Sequence, residues 1–90
     1  MKFIVHWTQM QSTFKPAVDR FLKEGAQPPA GVTLLGRWFG MNGTGFQVVE
    51  TTDAKALFTY ATQRSDVLHI EATPLVEDAQ AGEVMASLYG

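Results

Sequence analysis

The stretch LLGRWFGMNGTGFQVVE, residues 34–50, sets two apolar, β-branched and aromatic runs on either side of NGTG. Asn42 and Gly43 both tolerate the positive φ that tight hairpins demand, so the segment reads as two antiparallel strands, over 32–41 and 46–52, joined by a short turn. Each arm carries one charge, Arg37 in the first and Glu50 in the second. A two-residue loop (42–43) or a four-residue loop (42–45) puts Arg37 on the face of Phe46, Val48 and Glu50. Arg37 then stands opposite Glu50 in the longer case and diagonal to it in the shorter. A three-residue loop would separate the two charges onto opposite faces. The expected same-face set, Leu35, Arg37, Phe39, Phe46, Val48 and Glu50, is mostly apolar, so the pair is expected in partly dry surroundings.

The flanking segments supply the other elements. KFIVHWT, residues 2–8, alternates Phe3, Val5 and Trp7 with Ile4, His6 and Thr8, the pattern of a strand. STFKPAVDRFLKEG, residues 12–25, changes to helical spacing with Phe14, Val18, Phe21 and Leu22 on one stripe. Ser12 or Thr13 can cap its start, Pro16 fits the first turn and Gly25 can end it. AQPPAG, 26–31, is a loop. Asp53 can cap a second helix over 54–64, with Ala54, Leu57, Ala61 and Phe58 inward and Tyr60 packed with its hydroxyl at the surface. VLHIEATPLV, 67–76, is a fourth strand: Leu68, Ile70 and Ala72 take the helix side, His69 and Glu71 the other, and Pro74 marks an edge position. The tail over 77–90 reads as a short third helix with Ala81, Val84, Met85 and Leu88 on one side, weakened by Gly82.

The order β-α-β-β-α-β plus a terminal helix predicts an α+β, ferredoxin-like fold: a four-stranded antiparallel sheet with two helices on one face, in one domain over 1–90. The other face then needs a cover. A second copy is expected to supply it, giving a homodimer that the terminal helix helps to lock; the alternative is a monomer whose own terminal helix lies there. Ninety residues, 46% of them hydrophobic, suffice for a single core. A net charge of -2 and scattered basic residues argue against nucleic acid and anionic membrane surfaces. The chain has no cysteine, so neither a disulfide framework nor thiolate metal ligands are available. The apolar run at the start is broken at His6, Thr8 and Gln9, too short for a signal-peptide core or a membrane span, and a soluble cytoplasmic protein is expected.

Several short motifs in order, MKFIVHW, RFLKEGAQPP, GVTLLGRW, the glycine-rich turn, GFQVVE and EDAQAGEV, resemble a small bacterial family of unknown function, DUF3303, placed among the dimeric α+β barrel proteins. The resemblance implies the fold and the dimer and brings no activity with it. In that family GRW is often followed by histidine, where this chain has Phe39.

Candidate chemistry gathers on the face opposite the helices. His6, Arg37, Glu50, His69 and Glu71 would share it among apolar residues, a plausible polar floor for a small-molecule site. Arg37 and Glu50 read either as a structural cross-strand or intersubunit pair or as anchor and orienting group for a ligand. His6 is read as a hydrogen-bonded sheet histidine or a ligand contact. Trp7 and Trp38 are read as core or interface filler or as a platform for a flat ligand. His6, His69 and Glu71 together resemble a two-histidine, one-carboxylate iron set, but that spacing alone assigns no metal, and no cofactor is expected. No Ser-His-Asp order, phosphate loop or zinc spacing is present. The leading expectation is a homodimer binding a small molecule in the cleft between sheet and helices. The alternatives are a cofactor-independent monooxygenase- or isomerase-like enzyme using His6 or His69 as proton acceptor, and a structural or regulatory dimer without ligand.

Overall fold

The hairpin closes through three residues, and that count decides which face each charge occupies. In the computed structural model, which describes residues 1–90, β2 (Thr33–Phe39) and β3 (Thr44–Glu50) pair with Arg37 opposite Gln47, Trp38 opposite Phe46 and Phe39 opposite Gly45. The Gly40 N–H donates to the Thr44 carbonyl at 2.7 Å, which leaves residues 41–43 as the loop. Gly43 takes the left-handed conformation, φ 81°, that ends three-residue hairpin loops. The Asn42 side-chain oxygen accepts from the Thr44 N–H at 3.3 Å and its hydroxyl at 2.6 Å. Asn42 and Gly43 do make the turn, but Met41 is its third member. Parity therefore reverses: Arg37 and Phe39 lie on the helix side with Gln47, while Phe46, Val48 and Glu50 lie on the other. The expected Arg37–Glu50 pair does not form.

A second irregularity sets the far end of the same strand. The register shifts between Leu34 and Gly36, leaving Leu35 as an extra residue, as in a β-bulge. Without it, Leu34 and Arg37 would point to opposite faces. With it, Leu34 packs against the core while Arg37 also faces the helices.

The sheet order is β2-β3-β1-β4, all antiparallel, with β1 (Lys2–Gln9) central and β4 (Leu68–Leu75) at an edge. This is the ferredoxin-like α+β arrangement. Phe3, Val5 and Trp7 face the helices as alternation predicts, and Leu68, Ile70 and Ala72 join them across β4. Trp7 stands opposite Gly45, and there a side chain has no room: a Cβ on Gly45 would lie 2.3 Å from the indole. Pro74 sits on the edge strand, where its missing N–H breaks no inner ladder.

The two helices on this face pack unequally. In α2 (Ala54–Thr62) the Asp53 carboxylate accepts from the Ala56 N–H at 3.1 Å, and Leu57 and Tyr60 are buried. Ala54 and Phe58, expected inward, are exposed, and Tyr60 takes the inward position. The inward stripe runs through buried Leu57 and Tyr60 and half-buried Ala61 and, just past the helix, Arg64, one helical step from the stripe that hydrophobicity alone suggests. Val5, Val32, Val49, Leu57 and Tyr60 form the core beneath α2.

By contrast α1 (Phe14–Glu24) buries no residue completely. Val18 and Phe21 are half-buried, whereas Phe14 and Leu22, expected on the same stripe, are exposed. Polar ties hold the helix instead. The Thr13 hydroxyl donates to the Val67 carbonyl at 2.8 Å, and the Arg20 guanidinium forks onto the Asp66 carboxylate at 2.9 and 2.8 Å. Gly25, φ 72°, ends the helix in the left-handed cap expected of it, its N–H donating to the Phe21 carbonyl.

The helix α3 (Asp78–Tyr89) forms despite Gly82, with a capping box between Glu77 and Gln80. None of its residues is buried, and Val84, Met85 and Leu88 lie exposed along one side. The molecule is 50 Å long with a radius of gyration of 15.3 Å, where a globular chain of this length has about 12 Å. The sheet face away from α1 and α2 carries Ile4, Phe46, Val48 and Trp38, with Trp38 stacked on Phe46 at 5.2 Å. No helix is long and apolar enough to cross a membrane.

Candidate functional site

Loose packing under α1 leaves a cavity of about 200 Å³ between α1, α2 and the helix side of the sheet. Its walls are largely apolar and aromatic. Phe39 meets Trp7 edge-on at 5.5 Å and Phe21 edge-on at 5.4 Å, a cluster that lines one side. Phe39, which stands where the resembled family often has histidine, is thus part of an aromatic wall.

The polar side of the cavity is built around Arg37. Its Nε donates to Gln47 Oε1 at 2.9 Å, and its terminal nitrogens donate to the Gly25 carbonyl at 3.3 Å, the Ala26 carbonyl at 2.7 Å and the Tyr60 hydroxyl at 3.1 Å. The Tyr60 hydroxyl in turn donates to the Ala26 carbonyl at 2.9 Å. Gly25 and Ala26 follow the C-terminal end of α1, where unpaired carbonyls and the helix dipole favour a cation. The left-handed backbone at both residues, φ 72° and 48°, accompanies this presentation of the two carbonyls to the guanidinium. The Phe21 ring lies 5.7 Å from the guanidinium carbon, within cation–π range.

All these partners are neutral, and no ion pair in the chain involves Arg37. Arg64 is in the same position. It lies over the Tyr60 ring at 4.4 Å and donates to the Tyr60 carbonyl and the Gln63 side chain. Arg20, also lining the cavity, is neutralised by Asp66. The hydrogen-bonded guanidinium holds the Asp66 carboxyl below the usual carboxylate range, and Arg20 is raised by the same contact.

Of the residues singled out in the sequence, the structure brings Arg37 and Trp7 to this cavity. Glu50 is exposed on the other face, 3.9 Å from the α-amino group of Met1. His6 lies on that face opposite Glu71 and Phe46, and Trp38 lies there stacked on Phe46. His69 is exposed, its Nε2 3.3 Å from Glu71 Oε1. No group of three His, Asp or Glu side chains is placed to hold a metal ion. Gln47, Tyr60 and Arg64 were missed. The spacing 57, 60, 61, 64 carried the signal for the last two; for Gln47 the signal was its place between Phe46 and Val48 on the alternate face of a central strand.

A ferredoxin-like α+β domain with an arginine-anchored apolar cavity between sheet and helices is the class that fold and site define. The chain belongs to the family described as domain of unknown function DUF3303, whose profile matches residues 1–89. No curated protein and no solved structure shows a significant match to it.

Proposed function

We propose that the chain is one protomer of a homodimer that binds a small molecule in the cavity between sheet and helices, with Arg37 holding the ligand's polar end. The observation that carries this reading is a cation without a carboxylate partner facing a largely apolar space. Small-molecule sites have this composition: apolar walls, with a few placed polar groups that fix orientation. The enzyme alternative needs a proton acceptor beside the ligand, and neither His6 nor His69 lines the cavity.

Homodimerisation is supported by two apolar surfaces without cover in a single chain, the sheet face of Ile4, Trp38 and Phe46 and the side of α3 bearing Val84, Met85 and Leu88. A second copy supplies matching surface to both by two-fold symmetry.

The cavity reading is tested by filling the space. Ala61 lines it from α2, so Ala61→Phe should occupy it while leaving the polar anchors in place. Apolar monocyclic compounds that raise the melting temperature of the wild type are expected to leave that of the variant unchanged. Equal rises in both proteins would place the ligand elsewhere and overturn the reading.

A further inference from the structure

Donors dominate the polar groups around the cavity, the guanidinium groups of Arg20, Arg37 and Arg64 and the amides of Gln9 and Gln47 against the one carboxylate of Glu24. Gln47 is the clearest case. It is 4% exposed, and because Arg37 can only donate, the side-chain oxygen of Gln47 must face it. That fixes the amide nitrogen on the far side, where it has no protein acceptor. No sealed side-chain nitrogen or oxygen in the chain lacks a partner, so this N–H group opens onto the cavity that Gln47 lines. Arg37 adds an N–H on the nitrogen whose bond, to the Gly25 carbonyl, is the longest of its four at 3.3 Å. Arg64 adds a second guanidinium with no direct carboxylate contact, beside a polar groove that it shares with Glu24 and Asp66. The one carboxylate among the lining residues, Glu24, is exposed and lies beside Arg20.

Volume and wall shape narrow the ligand further. An apolar cavity of roughly 150 Å³ accommodates benzene, and about 200 Å³ adds room for one small polar substituent. Trp7, Phe21 and Phe39 present faces and edges to a ring. From the donor set and this size we infer that the cavity takes a small aromatic monocarboxylate, an acid of benzoate size, with its ring against the aromatic wall and its carboxylate between Gln47 and the guanidinium groups of Arg37 and Arg64. The inference rests on the binding reading above and names the ligand class for that same site. A carboxylate supplies the missing negative charge, and charge-assisted bonds offset its desolvation. A neutral amide of the same shape supplies neither the charge nor two equivalent acceptors.

Calorimetric titration with benzoate, benzamide and toluene tests this, on the wild type and on Gln47→Glu. The glutamate carboxylate would pair with Arg37 and satisfy it internally. Benzoate is expected to bind the wild type at least about tenfold more tightly than benzamide and to lose that advantage in the variant, while toluene binds both alike. Arg64→Gln, a change on a half-exposed side chain, provides the same comparison should Gln47→Glu fail to fold, and is expected to weaken benzoate selectively. Benzamide or toluene binding as tightly as benzoate would overturn the anion assignment and leave the binding reading standing. Binding of none of the three would overturn both.

Discussion

Arg37 bonds to two backbone carbonyls, an amide oxygen and a phenol, so its removal strips partners from four groups at once. Arg37→Met is expected to cost about 2–4 kcal/mol, since each bond to a charged donor contributes on the order of 1.5–3 kcal/mol and some acceptors find water. Glu50→Gln, on an exposed side chain of the other face, should change stability by less than about 0.5 kcal/mol. Urea unfolding of the two variants separates this account from one in which the charges are partners, where both changes would be costly. Gly45→Ala makes a sharper case. Its Cβ meets the Trp7 indole at 2.3 Å and the Trp38 carbonyl at 2.9 Å, and overpacking of that kind costs about 1–3 kcal/mol. At this scale the sequence was legible where alternation governs, as at Phe3, Val5 and Trp7 or Leu68, Ile70 and Ala72. It misled at Arg37, because one loop residue reverses parity and Asn-Gly is compatible with loops of two, three or four.

The helix α1 shows how an element is held when its apolar stripe covers a void. Thr13 and Arg20 tie it to the connection between α2 and β4, and Gly25 ends it where its carbonyls reach Arg37. The Arg20–Asp66 contact makes this attachment sensitive to acid. The folded-state pKa of Asp66 is depressed, so its contribution to stability is present above the unfolded value and is lost as the pH falls below the usual carboxylate range. Asp66→Asn is therefore expected to flatten the acid limb of a stability–pH profile below about pH 4 and to leave its shape near neutrality unchanged. The existence and order of the elements were legible from spacing and caps, including Asp53 at α2 and Gly25 at the end of α1. The inward face of α2 was not: hydrophobicity favours Phe58, while Tyr60 is buried because its hydroxyl reaches Ala26 and Arg37 from the neighbouring stripe. The bulge at Leu35 left one mark that alternation alone passes over: Gly36, beside the extra residue, is a glycine inside an otherwise strand-like run.

At the scale of the whole molecule, an extended shape and an unburied α3 accompany an apolar sheet face without cover. The proposed homodimer predicts twice the chain mass of 9.9 kDa by light scattering. Leu88→Asp on α3 and Trp38→Glu on the sheet should each shift the population toward monomer. A single-chain mass at high micromolar concentration would contradict it. The sequence placed His6, Arg37, Glu50, His69 and Glu71 together on the open face, whereas the space under α1 contains Arg37 without the other four. A sequence displays which residues alternate; whether two layers meet fully or leave a void depends on how far α1 is held off the sheet, and no periodicity encodes that. The most direct test of the cavity as the binding site is an NMR titration of the wild-type protein with a panel of monocyclic compounds, followed through side-chain resonances. The account predicts shifts gathered on Phe21, Phe39, Tyr60 and the Arg37 Nε–H. Shifts gathered instead on His6, Trp38 and His69, with those four unmoved, would contradict it.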